Sequence, residues 1–194
     1  MIRFLFALVL LTNSAFGQDL FGTDFDGIFD AHVDEVVRTE KDNGQWEERL
    51  TLPGPVLLTR GVDSSGNVFH YGLDQSGNGA VGCFLIIAID VRATADHCPG
   101  TVSPEQASAL DKFLEAATQF YARNNIPSRA VSAVRDGIQE SISYRTQQME
   151  PAICDGESIK HIQGFASALA APDSLENIDA ALGPPRLPVT NPCL

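Results

Sequence analysis

In the second half of the chain, apolar residues recur twice in succession with the spacing of an amphipathic helix. Ala107, Leu110, Leu114, Ala117 and Tyr121 form the first stripe, widened by Phe113 and Phe120; Val131, Val134, Ile138, Ile142 and Met149 form the second. Steps of three and four residues return a side chain to the same helix face. The first stripe opens at Ser103-Pro104-Glu105-Gln106, where a Ser cap, a Pro at the first helical position and a Gln three residues on make a capping box. Asn124-Asn125, followed by Pro127, ends it, and the second runs from near Ser128 to just before Pro151. Each helix, at about 20 residues, is roughly 30 Å long. The linker between them is short enough to make them antiparallel neighbours.

Before this pair the pattern is more varied. Phe25, Ile28, Phe29, Val33, Val36 and Val37 follow Thr23-Asp24 at helical spacing, which predicts a helix over about 24–38, with His32 at its apolar boundary. Trp46 to Leu52, Val56 to Val62 and Val68 to Leu73 are short extended runs separated by turn residues, and read as strands. The pentapeptides Asp63-Ser64-Ser65-Gly66-Asn67 and Asp74-Gln75-Ser76-Gly77-Asn78 read as hairpin turns. Cys83 to Val91 is almost wholly apolar, so periodicity does not separate strand from helix. Its β-branched content favours strand, while its continuation to Asp96 before Pro99-Gly100 favours helix, the reading taken here. A fourth helix, capped at Asp155, carries Ile159, Ile162, Phe165, Ala166 and Leu169; a shorter one starts at Pro172-Asp173-Ser174 and runs to about Leu182, and Gly183-Pro184-Pro185 opens an extended tail. The expected fold class is α+β, mainly α: an N-terminal helix and a small β-hairpin or meander region, then a disulfide-linked antiparallel helical bundle. The corresponding segments are 18–79, 80–182 and a Pro-rich tail over 183–194.

The N-terminus adds a compartment. Met1-Ile2-Arg3, the apolar run Phe4 to Leu11 and small residues before Gln18 have the layout of a secretory signal peptide spanning 1–17. Eight apolar residues fall far short of the roughly 20 that cross a bilayer, and no later run reaches that length, so no membrane span is expected after cleavage. Export, periplasmic or secreted, makes disulfides the expected use of four cysteines. Four cysteines allow three connectivities. Antiparallel helices of equal length bring Cys98, before the first, level with Cys154, after the second, which leaves Cys83 for Cys193. The first bond would close a loop worth roughly 4 kcal/mol. On this pairing the tail is pinned by Cys193 but supplies few contacts beyond Leu182.

The formal charge is −12, and removal of the leader takes away only Arg3. Such a chain repels nucleic acid and anionic lipid. Motifs with chemistry are few. Asp63, Ser65, Asn67 and Asp74 fall at positions one, three, five and twelve of a calcium loop, but Val68 stands where such a loop needs Gly. Gly77-x-Gly79-x-x-Gly82 matches a dinucleotide fingerprint only formally, without the flanking strands and downstream acid, and reads as a hinge. His97 and His161 fall at one end of the expected bundle, where with Asp96 they form a weak zinc or acid-base candidate. Glu140, Glu150 and Glu157 read as solvated. No nucleophile elbow or His-Glu-x-x-His motif occurs. The expectation is an exported, non-enzymatic binding or inhibitor-like module with an unidentified protein partner and no cofactor; the alternative is a small hydrolase or metal-dependent enzyme.

Overall fold

The structure, a computed structural model, describes residues 22–41 and 43–193; the leader expected over 1–17 lies outside them. Over the described residues the fold is α+β and mainly α, with six helices and one four-stranded antiparallel sheet. The order is α1 (Phe25–Ala31), β1 (Val37–Glu40), β2 (Trp46–Leu52), β3 (Val56–Val62), β4 (Val68–Asp74), α2 (Val81–His97), α3 (Pro104–Asn124), α4 (Val131–Gln148), α5 (Ser158–Leu169) and α6 (Ser174–Leu182). The strands form a meander, β1-β2-β3-β4.

The helix expected over 24–38 is shorter. Asp24 caps α1, its Oδ1 accepting from the Gly27 amide at 2.9 Å, but the helix closes at Ala31, with His32 as its C-cap. One 3-10 turn, Val33–Glu35, follows, and Val37 opens β1. The β-branched Val36 and Val37 continue the helical spacing by coincidence; both are extended, and Val37 pairs with β2. Val37 is accordingly exposed, while Phe25, Ile28 and Phe29 are buried.

The helical half follows its pattern more closely. The Gln106 amide donates to Ser103 Oγ at 3.3 Å and the Ser103 amide to Gln106 Oε1 at 2.7 Å, completing the capping box. Cys83 to Val91 is helical within α2. Leu85, Ala88, Ile89, Val91 and Ala93 are each fully buried because α3, α4 and α5 all pack against α2, as befits a helix apolar almost all round. α4 begins at Val131 rather than near Ser128. α5 begins at Ser158, after a 3-10 turn over Pro151–Asp155, so Asp155 is not its cap. The second pentapeptide is likewise no hairpin turn but the connection from β4 into α2.

Two disulfides close the chain, Cys98–Cys154 with Cα atoms 5.5 Å apart and Cys83–Cys193 with 5.2 Å. The tail is pinned by Cys193 as expected, but it makes more contacts beyond Leu182 than expected. Leu187 and Val189 are buried in a second apolar cluster with Phe25, Ile28, Phe29, Leu50, Leu52, Val56 and Leu58. The Gly82 amide donates to the Val189 carbonyl at 2.9 Å and the Asp74 amide to that of Asn191 at 2.7 Å, where the tail forms a parallel bridge with Leu73. A Cβ on Gly82 would stand 2.6 Å from both the Val189 carbonyl oxygen and the Tyr121 hydroxyl, so glycine is required for the tail to reach its seat. The tail thus fills the space between sheet and helices. Leu187→Ala should therefore cost about 2–5 kcal/mol, the range for a buried Leu, in urea unfolding; a change under about 0.5 kcal/mol would mean that the tail is peripheral.

Candidate functional site

Strand pairing sorts the sheet into two unlike faces. On the inner face, Leu50↔Leu58↔Gly72 and Leu52↔Val56↔Asp74 lie in register across β2, β3 and β4, with α1 and the tail over them. One step toward the β3–β4 turn, the same face carries a charged row: Arg38 opposite Glu48, Glu48 opposite Arg60, Arg60 opposite His70. Each of the four strands contributes one residue.

Helix α1 completes the row from above. Arg60 donates to Glu48 through Nε at 2.6 Å and to Asp26 through Nη1 at 3.1 Å, and its Nη1 lies 3.7 Å from Asp30. Arg38 Nη1 donates to the other Glu48 oxygen at 3.2 Å, and His70 Nε2 lies 2.9 Å from Asp26 Oδ1. The Arg60 guanidinium sits over the Phe29 ring at 4.6 Å and that of Arg38 over Trp46 at 4.8 Å, while His70 stacks on Phe25. Burial pushes the Glu48 carboxyl up, but the hydrogen bonds from Arg60 and Arg38 outweigh it and hold the group below its ordinary range. Asp26 is held low chiefly by its hydrogen bond to His70, and also by Arg60. This row spends its charges on one another and fixes α1 to the sheet.

The opposite face is different in kind. Val37, Arg49, Thr59 and Tyr71 pair in one row, Thr39, Glu47, Gly61 and Phe69 in the next, and Thr51, Leu57 and Leu73 in a third. Val37 is 65% exposed, Tyr71 40% and Phe69 37%. Its two charges, Glu47 and Arg49, bond each other at 2.7 Å. On a chain of charge −12, this face is neutral, aromatic and rich in threonine.

The expected ligand sets fare as follows. Asp63 Oδ1 accepts from the amides of Ser65 at 2.8 Å and Asn67 at 2.9 Å, as the hairpin turn requires, and these bonds hold its carboxyl below the usual range. Asp74 lies at the far end of β4, roughly 20 Å away at the rise of a strand. Its carboxylate is buried and receives Arg186 Nε at 2.6 Å and the Ser76 amide at 2.8 Å. The four loop candidates therefore do not converge. His97, at the end of α2, has its imidazole within 4.8 Å of the sulfurs of Cys98 and Cys154; His161, exposed on α5, is not in that group. Glu140, Glu150 and Glu157 are exposed.

Sequence reading missed the charged row and the role of Arg186. The row depends on register, since Arg38, Glu48, Arg60 and His70 fall on one face once the strands are aligned, and Arg186 depends on contacts more than 100 residues away, with Asp74 and Gly79. No family model, curated protein or solved structure matches the chain.

Because Glu48 titrates below its unfolded value, its contribution to stability is present above about pH 4.3 and is lost as pH falls through the lower, folded value. Glu48→Gln should lower the melting midpoint at pH 7, and the gap from the unaltered chain should shrink below about pH 4. A gap that stays constant over that range would show that the carboxylate charge contributes nothing.

Proposed function

We propose that this chain is an exported binding module, periplasmic or secreted, that engages a protein partner through the open face of its β-sheet. The observation that carries the reading is the contrast between the two faces. One is filled by α1, the tail and a self-satisfied charge row; the other presents Val37, Phe69 and Tyr71 to solvent beside the exposed Thr39 and Thr51. Exposed aromatics of this kind supply large contact area at small entropic cost and are enriched where binding energy concentrates. Flanking threonines add hydrogen bonds without charge.

Further support comes from the polar side chains. Among the described residues no buried side-chain nitrogen or oxygen lacks a hydrogen-bond partner, and the acids nearest a histidine on the sheet are engaged by arginine. Two disulfides, with no described helix long and apolar enough to cross a membrane, fit work outside the reducing cytosol. The acidic surroundings favour a basic or neutral partner.

The test is capture from the native compartment on the immobilised chain, compared with a Phe69→Ser, Tyr71→Ser variant whose melting midpoint matches. A partner held by the unaltered chain should be lost or weakened roughly 30-fold or more, the effect of removing hot-spot side chains. A partner retained equally by both would place binding elsewhere.

A further inference from the structure

The end of the helical half where α2 stops holds donor atoms that the binding reading leaves unused. His97 is the last residue of α2, Cys98 is its C-cap and Cys154 lies in the 3-10 turn before α5. One ligand atom from each lies within 4.8 Å of the other two. The His97 side chain makes no hydrogen bond or ion pair among the described residues, and both it and Cys154 are half-buried, while Cys98 is buried. The Cα atoms of the two cysteines are 5.5 Å apart and are held there from two directions, by α2 and by the turn packed against it.

We propose that the Cys98–Cys154 bond and a zinc ion are alternative clamps at this one place, and that in the dithiol state His97, Cys98 and Cys154 bind a soft divalent cation. A dithiol reductant supplies two electrons and two protons; the S–S bond breaks, two thiols form and the reductant becomes its own disulfide. On binding, the two thiol protons pass to solvent and both thiolates, with one imidazole nitrogen, donate to the metal. Zn–S bonds of 2.3 Å in a tetrahedral site set the sulfurs about 3.8 Å apart, a spacing that side-chain rotation reaches without moving the two backbones. A donor set of two thiolates and one imidazole suits zinc over the hard cations, and three protein ligands leave the fourth position for water or an external donor. The metal would replace the covalent link between the start of the α3–α4 hairpin and the turn that follows it.

The test uses the full chain after the leader, oxidised and fully reduced, with melting midpoints measured with and without zinc and cobalt(II) used as an optical reporter. Zinc should raise the midpoint of the reduced chain and leave the oxidised one unchanged. Cobalt(II) should give a thiolate charge-transfer band at one ion per chain. His97→Ala should weaken binding roughly 100-fold or more, beyond what loss of an outer-shell partner costs, while His32→Ala on α1's end should not. The proposal is overturned if zinc stabilises both redox states alike, if His97→Ala binds as well as the unaltered chain, or if reduction alone abolishes the helical circular dichroism, since metal would then be held by an unfolded chain.

Discussion

The contact on which the two halves of the molecule depend is the ion pair between Arg186 and Asp74, whose side chains are 0% and 1% exposed. Two charges withdrawn from water this completely cost several kcal/mol each unless every polar atom finds a partner. Here they do. Arg186 donates from Nε to Asp74 at 2.6 Å, from Nη1 to the carbonyls of Ala181 at 2.8 Å and Pro184 at 3.2 Å, and from Nη2 to that of Gly79 at 3.1 Å, with its plane over the Phe120 ring at 5.2 Å. One side chain thus touches the end of β4, the connection into α2, the end of α6 and the C-terminal part of α3. The Cys83–Cys193 bond keeps the tail's far end beside α2 across a separation of 110 residues, a loop whose closure limits the unfolded chain by about 4.7 kcal/mol.

That seam explains how a small sheet is stable beside a larger bundle. The sheet's inner apolar rows are only two residues deep on each central strand, too little to bury α1 alone. Leu187 and Val189 extend this cluster from one side, and the charged row closes it at the other. From the helical half, the Ile126 carbonyl accepts from the Asp24 amide at 3.0 Å, and Asn125 Oδ1 accepts from the Thr23 hydroxyl at 2.6 Å. With its inner face so occupied, the sheet turns Phe69 and Tyr71 outward, on the face that α1 and the tail leave uncovered.

How much of this was legible in the sequence divides along range. The α3–α4 hairpin could be read because its signals are local: a capping box, two stripes of period 3.6 and a Pro-bounded linker. The cysteine positions followed from it, since level helix ends put Cys98 beside Cys154. Strands β2, β3 and β4 were marked by their turns. Residues 32–38 were misread because Val33, Val36 and Val37 fit a helical stripe, while pairing with β2, a long-range contact, decided the outcome. Arg186 was passed over for the same reason. A lone arginine among prolines has the local appearance of a solvated tail, and only the alternation of Leu187 and Val189 hinted at a segment with an inner side. The candidate surface was hidden too: which of Phe69 and His70 faces out is fixed by register, not by composition.

The most direct measurement is hydrogen exchange and urea unfolding of Arg186→Met against the unaltered oxidised chain. If Arg186 is the seam, the variant leaves Asp74 buried and uncompensated, so the unfolding free energy should fall by about 3–5 kcal/mol, and the amides of Asp74 and Gly82, which bond the tail, should lose protection together. A loss below about 1 kcal/mol with both amides still protected would contradict the account, and would mean that the disulfide and the apolar tail residues hold sheet and helices together without the ion pair.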